Sequence, residues 1–163
     1  MSRKIISILL MFICFSLTPQ VFAAEGHWAA QDLITLNELY QLEIMGELDE
    51  PADQAFQEKV FTLIGLKKRP RTEMLRFRIF YELVKALDVE IASDEDCEQL
   101  LNEFTDKCTY CKKNNLILGT AKEIGLLRGR KTPTGLVLAI DQPVTKAELA
   151  VLALRYLKII EEG

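Results

Sequence analysis

The chain has 163 residues, of which 49% are hydrophobic, and it carries a formal charge of -4. This apolar fraction is too high for a disordered chain, whereas the polar content and the single Trp argue against a polytopic membrane protein. The acidic balance argues against sequence-independent binding to nucleic acid, which requires a basic surface.

Residues 1–23 have the layout of a secretory signal peptide. Arg3 and Lys4 precede a nearly continuous apolar run over residues 5–17, and small or medium residues follow at 21–23. The run is shorter than the roughly 20 residues that a spanning helix needs. We therefore expect cleavage after Ala23, a secreted mature chain and no membrane span after cleavage. A retained anchor is the alternative.

The predicted mature chain is acidic and large enough for one core. The first 23 residues hold two bases and no acid, so the remaining 140 carry 18 Lys and Arg against 24 Asp and Glu. A chain of this length buries roughly two thirds of its unfolded surface.

Three cysteines remain in the mature chain: Cys97, Cys108 and Cys111. Outside the cytoplasm we expect a disulfide, preferably between Cys97 and one of the other two, with the odd thiol free or paired between chains. Two other interpretations stay open, a redox role for the CxxC spacing of residues 108–111 and a zinc site completed by His27.

The spacing of apolar residues predicts an all-α fold. It indicates helices over residues 28–45, 56–66, 71–88 and 116–127, with Gly46 and Gly129 as stops. Residues 93–103 are expected as an acidic linker, whose first residues 93–96 are either part of the linker or a helix start, and residues 130–141 as a loop. The last helix begins with a capping box, in which Thr145 and Glu148 exchange side-chain-to-backbone hydrogen bonds.

The chain also shows a helix–loop–helix unit used twice. Residues 71–75 (Arg-Thr-Glu-Met-Leu) and 146–150 (Lys-Ala-Glu-Leu-Ala) share a base, a gap, a Glu and an apolar run. This interpretation divides the mature chain into residues 24–92, the linker 93–103 and residues 104–163. The second helix of the first unit starts either near Arg71 or near Gln57.

Three segments of the second unit resemble an S-layer homology motif. Residues 104–106 (Phe-Thr-Asp) match its opening Phe-x-Asp, residues 121–129 match its Ala-x-x-x-Gly-Ile-Ile-x-Gly segment, and residues 143–150 match its signature Ile-Thr-Arg-Ala-Glu-Phe/Leu-Ala. In the first unit, residues 27–29 (His-Trp-Ala) match the opening of many such motifs and residues 42–46 are a loose match to the glycine segment.

The resemblance implies a small bundle of helix–loop–helix motifs whose grooves bind a pyruvylated, anionic secondary cell-wall polysaccharide. The implied ligand residues are Trp28, Arg71 and Glu73 in the first motif and Gly129, Thr145, Lys146 and Glu148 in the second. It also implies a location at the bacterial cell surface, in the cell wall or S-layer.

The sequence shows no constellation typical of an enzyme. His27 is the only His, and there is no nucleophile elbow, phosphate loop or zinc helix motif. We therefore expect a non-catalytic protein without cofactor or metal. The alternative function is an extracytoplasmic interaction module with a degenerate polymer site, assembling with itself or with another envelope protein.

Overall fold

The computed structural model describes residues 26–44, 46–107 and 112–163. The predicted signal peptide, Cys108 and Cys111 lie outside these ranges. Within them the fold is mostly helical, as the sequence predicts. The elements are α1 (Ala30–Tyr40), α2 (Gln54–Leu63), α3 (Arg76–Leu87), α4 (Asp94–Leu101), α5 (Lys112–Glu123), β1 (Arg130–Thr132), β2 (Gly135–Val137) and α6 (Lys146–Glu162).

Helices α1 and α2 form the first helical pair. Helix α1 buries Leu33 and Leu36, and it ends at Tyr40, with the left-handed residue Gln41 as its C-cap, rather than at the predicted stop Gly46. Helix α2 begins where the Asp53 carboxylate accepts a hydrogen bond of 2.9 Å from the backbone N–H of Phe56, which satisfies an otherwise unpaired donor. A helix therefore starts near Gln57, one of the two predicted starts for the second helix of the first unit.

Helix α3 begins at Arg76, so the predicted helix start at Arg71 is wrong. The preceding residues are extended because they pair with a distant segment. Val144 donates its N–H to the carbonyl of Met74 at 2.8 Å, and Arg76 donates its own to the carbonyl of Gln142 at 2.9 Å. These tertiary hydrogen bonds override the local helical spacing.

Residues 93–103, expected as a linker, contain helix α4. Ser93 caps its first turn by accepting from the N–H of Asp96, and three acids in that turn complement the positive end of the helix. Cys97 is a buried free thiol in the described part of the structure. Its expected partners Cys108 and Cys111 lie outside that part, so the disulfide stays a prediction. A Cβ at Gly119 would lie 2.3 Å from the Cys97 sulfur, so glycine lets α4 and α5 pack closely.

The segment after α5 is more ordered than the predicted loop. Helix α5 ends at Glu123 and not at the predicted stop Gly129. Strands β1 and β2 then form a hairpin in which Arg130 pairs with Val137. Asp106 stabilises the turn after β2 by accepting from the N–H groups of Leu138 and Ala139 at 2.6 and 2.8 Å.

Helix α6 begins with the predicted capping box, which the structure confirms. It packs against α1 and α2, whereas α5 packs against α3 and α4. A single hydrophobic core runs through both groups. The extended residue Val144 joins them, because its carbonyl accepts from Ala52 and its N–H donates to Met74.

The packing of Phe104 on Gly129 generates a stability prediction. Gly125 and Gly129 both have positive φ, but a Cβ at Gly129 would lie 2.4 Å from the Phe104 ring, whereas one at Gly125 would meet nothing within 4 Å. We expect Gly125→Ala to destabilise the fold by about 1 kcal/mol through backbone strain alone. Gly129→Ala should cost the same backbone strain and about 1–3 kcal/mol more, because its Cβ overpacks against the Phe104 ring.

Urea unfolding followed by circular dichroism checks this difference. Equal losses of unfolding free energy in the two variants would contradict the close packing of Phe104 on residue 129.

Candidate functional site

The N-termini of α2, α3 and α6 converge through short extended segments. Lys146 donates its N–H to the carbonyl of Glu50 at 2.9 Å, and Ala147 donates to the carbonyl of Leu48 at 3.0 Å. Isolated bridges join Pro51 to Thr145 and Leu75 to Pro143. The convergence brings charged side chains from distant parts of the sequence into two adjoining clusters.

The first cluster is a buried ion triad centred on Glu148. Its Oε1 accepts from Arg76 Nη1 and from Arg130 Nε, each at 2.5 Å, and its Oε2 accepts from Arg130 Nη2 at 2.6 Å. The guanidinium groups also donate to backbone carbonyls, Arg76 to Leu138 and Arg130 to Pro143. We call Arg76, Arg130 and Glu148 the Glu148 triad.

Burial and the neighbouring charges act in opposite directions on the Glu148 triad. Burial raises the pKa of Glu148, but the hydrogen bonds from Arg130 and the charge of Arg76 outweigh it, so that the pKa is lowered overall. The pKa of Arg76 is lowered, mainly by burial, and hydrogen bonding to Glu148 raises the pKa of Arg130. The triad therefore contains a carboxylate and two cations at neutral pH.

The second cluster surrounds Lys146. Only 9% of this residue is exposed, and its Nζ lies 3.5 Å from Glu50 Oε2 and 3.7 Å from Asp53 Oδ2. A Cβ at Gly46 would lie 3.4 Å from the same Nζ. The backbone hydrogen bond from Phe56 is the main reason that the pKa of Asp53 is lowered, so the Asp53 carboxylate that faces Lys146 stays ionised.

Trp28 precedes α1 and is connected to the second cluster through its neighbour His27. It is 60% exposed, and its ring centroid lies 5.4 Å from that of His27. The Nε2 of His27 lies 3.1 Å from Oδ1 of Asp49, which precedes Glu50 in the chain. We call Trp28, His27, Asp49, Glu50 and Lys146 the Trp28 surface.

The other predicted ligand residues have different positions. Thr145 caps α6, and Glu148 is held inside its triad. Arg71 and Glu73 are exposed on the segment before α3, where the backbone of Arg71 is hydrogen-bonded to the Gln57 side chain. Among the residues that the structure describes, no hydrogen bond or ion pair links Arg71 or Glu73 to the Trp28 surface. The binding roles of these residues stay predictions.

Two open pockets flank α2, and neither is lined by a predicted ligand residue. The larger has a volume of about 630 Å³ and lies between the ends of α1 and α2, with Tyr40, Glu43 and Lys59 among its lining residues. The smaller has a volume of about 320 Å³ and lies against residues 66–70. Pockets of this size accommodate small ligands.

The site residues predicted from the sequence do not include Arg76 and Arg130. Arg76 lies in helical register with the buried residues Ile79, Phe80 and Leu83. A charged residue in such a stripe indicates a buried partner, because an unpaired buried charge is strongly disfavoured, and this signal could have identified it. Arg130 follows directly after Gly129 in a predicted loop, where nothing in the sequence distinguishes it from a solvated base.

No protein-family model, curated protein or solved structure matches the chain. The resemblance to S-layer homology motifs therefore rests on the sequence segments themselves. Within the ranges described, no group of His, Cys, Asp and Glu side chains could hold a metal ion. The zinc alternative includes Cys108 and Cys111, which lie outside those ranges. No helix of the described part has the length and apolar character needed to cross a membrane.

The Glu148 triad predicts a specific pH dependence of stability. Because the pKa of Glu148 is lowered in the folded protein, the triad's contribution is complete above the unfolded carboxyl pKa of about 4.3. It is lost as pH falls through the folded value. Glu148→Gln should cost about 3–5 kcal/mol at neutral pH, since it leaves the buried guanidinium of Arg76 and the partly buried one of Arg130 without their counter-charge.

Urea unfolding of the wild type and of Glu148→Gln, measured between about pH 7 and pH 3, checks this effect. The stability difference between the two proteins should shrink as the solution becomes more acidic. Glu162→Gln, at the exposed end of α6, is the matched control and should show no such convergence. A difference for Glu148→Gln that stays constant with pH would contradict the assignment.

Proposed function

We propose that the protein is a secreted, non-catalytic cell-envelope protein that attaches non-covalently to a secondary cell-wall polysaccharide through the Trp28 surface. The proposal rests on one observation. The exposed Trp28 and the base Lys146, both implied as ligand residues by the resemblance to S-layer homology motifs, are connected through the residues between them. The ring of Trp28 packs at a tilt against that of His27, His27 contacts Asp49, and the next residue, Glu50, pairs with Lys146.

The chemistry of the Trp28 surface suits a charged sugar. An exposed indole offers an apolar face to the C–H groups of a sugar ring and a polar N–H at its edge. The carboxylates of Asp49 and Glu50 are exposed acceptors for sugar hydroxyl groups. The ammonium group of Lys146 supplies three donors to an anionic substituent.

The acids around Lys146 set a limit on this binding. An anionic group on the polymer must compete with Glu50 and Asp53 for the ammonium group. The ion pairs at 3.5 and 3.7 Å are longer than a charge-assisted hydrogen bond of about 2.7–2.9 Å, and both acids are exposed enough to move aside. We therefore expect each site to bind the polymer with modest affinity, and we expect this affinity to fall as the salt concentration rises.

A second candidate function is an interaction module that assembles with itself or with another envelope protein. The specific observation in its favour is a pair of exposed apolar side chains, Leu39 at 68% and Ile160 at 51% exposure. They lie at adjoining ends of α1 and α6, because their neighbours Tyr40 and Glu161 share a hydrogen bond of 2.8 Å. Neither residue belongs to the Trp28 surface.

A pull-down on purified cell wall, with and without prior extraction of the secondary polysaccharide, tests wall attachment. We expect the mature protein to sediment only with the unextracted wall. Trp28→Ala and Lys146→Met should each reduce the retained amount roughly tenfold, which corresponds to about 1.4 kcal/mol of binding free energy. Their far-UV circular dichroism should be unchanged.

Two matched variants control for composition. Leu39→Ala removes an exposed apolar side chain at the end of α1 remote from Trp28, and Lys158→Met removes another base of α6; both should bind like the wild type. If the wild-type protein stays in the supernatant with unextracted wall, the proposed attachment is wrong. If the controls bind as weakly as Trp28→Ala and Lys146→Met, the assignment to the Trp28 surface is wrong.

The second candidate makes a separate prediction. If the protein self-associates through the ends of α1 and α6, the double substitution Leu39→Ser/Ile160→Ser should weaken the dimer at least tenfold, because it removes apolar area from the interface. Sedimentation velocity over a range of concentrations measures this change. A wild type that is monomeric throughout would exclude self-association at this surface.

A further inference from the structure

A basic loop lines the smaller pocket beside α2. Lys67, Lys68 and Arg69 line it together with the apolar residues Phe61 and Leu66 and one acid, Glu58. These two apolar residues are 2% and 8% exposed, so they form a fixed floor. The pocket has a volume of about 320 Å³ and belongs neither to the Trp28 surface nor to the Glu148 triad.

The end of α2 holds the basic loop in place. Gly65 donates its N–H to the carbonyl of Thr62, and Leu66 donates to that of Phe61 at 2.8 Å, the hydrogen-bond pattern of a Schellman motif. Lys68 then donates back to the carbonyl of Leu66 at 2.8 Å. The three cations therefore follow a tight, hydrogen-bonded turn.

Of these three cations, Lys68 alone has an ion-pair partner among the residues that the structure describes. Lys68 Nζ lies 2.8 Å from Glu82 Oε2, and Arg78 of α3 pairs with the other oxygen of the same buried carboxylate at 2.6 Å. Two cations thus share one acid. Within the described ranges, no hydrogen bond or ion pair involves the side chains of Lys67 or Arg69, and both residues are exposed.

The charge around this pocket is opposite to that of the rest of the chain. Residues 58–71 contain five bases and one acid, a net charge of +4, whereas the whole chain carries -4. The remaining residues therefore carry -8. A local excess of positive charge on an acidic protein attracts anions to that one surface.

We propose that the pocket binds a phosphate group. Lys67 and Arg69 flank Lys68, so three cations from successive residues can approach the several oxygens of one tetrahedral anion. Lysine binds phosphate as a point charge, and arginine adds a fork of donors. A carboxylate offers only two oxygens in one plane, which a single arginine fork already satisfies. The phosphate can be a free ion, a lipid headgroup or part of a phosphate-bearing polymer.

The first experiment titrates inorganic phosphate into the mature protein and follows backbone amide shifts by NMR. We expect saturable shifts at residues 66–69, with binding at least tenfold weaker in Lys67→Gln/Arg69→Gln. The matched control Lys131→Gln/Lys158→Gln removes two exposed bases elsewhere and should bind phosphate like the wild type. Absence of saturable shifts at these residues, or equal weakening in the control, would overturn the proposal.

Three further probes identify the source of the phosphate. Co-sedimentation with phosphatidylglycerol vesicles, but not phosphatidylcholine vesicles, that is lost in Lys67→Gln/Arg69→Gln would assign the pocket to a lipid headgroup. Displacement of inorganic phosphate by poly(glycerol phosphate) would assign it to a polymer. Binding of inorganic phosphate alone would assign it to the free ion.

The outcome is independent of the proposed wall attachment. Trp28→Ala should leave phosphate binding unchanged, because the indole lies outside the pocket. A protein that fails the wall pull-down but binds phosphate at residues 66–69 retains the phosphate site, and the reverse result retains the wall site.

Discussion

One buried carboxylate connects three parts of this fold. Glu148, in the first turn of α6, accepts hydrogen bonds from Arg76 at the start of α3 and from Arg130 in the hairpin. It also accepts from the backbone of Thr145, which closes the capping box. Removing any member would leave a charge in a site with little access to water, so the triad fixes the relative positions of α3, α6 and the hairpin.

The same arrangement determines which predicted ligand residues are free to act. Thr145 and Glu148 are committed to the start of α6, and Gly129 is covered by Phe104. Lys146, two residues before Glu148, instead points toward the loop between α1 and α2, where Gly46, Glu50 and Asp53 surround it. The first and last parts of the chain thus contribute to one surface. The proposed polymer contact depends on Trp28, Lys146 and the acids between them, rather than on the full set that the resemblance implies.

Features that depend on neighbouring residues were predictable from the sequence. The capping box of α6 and the existence of α1, α2, α3 and α5 follow from local spacing and side-chain chemistry. The start of α3 was not predictable, since the extended backbone at Met74 is set by hydrogen bonds to residues 142–144. The acidic run at residues 94–96 was ambiguous between a solvated linker and a favourable first helical turn. The partners within the Glu148 triad are 72 and 18 positions apart, so no local pattern revealed them.

Val144, which is hydrogen-bonded to Ala52 and Met74, lies just before α6. The packing of α1 and α2 on α6 determines when these two helices become stable during synthesis. Helices α1 and α2 bury their apolar faces against α6, which is synthesised after them. Short helices without tertiary contacts are marginal in water. We therefore expect α1 and α2 to become stable only after α6 has been synthesised and packs against them. The contacts of α6 with α1 and α2 join residues that are far apart in the sequence. Such contacts make folding slower than in bundles where each helix packs on its neighbour in the chain.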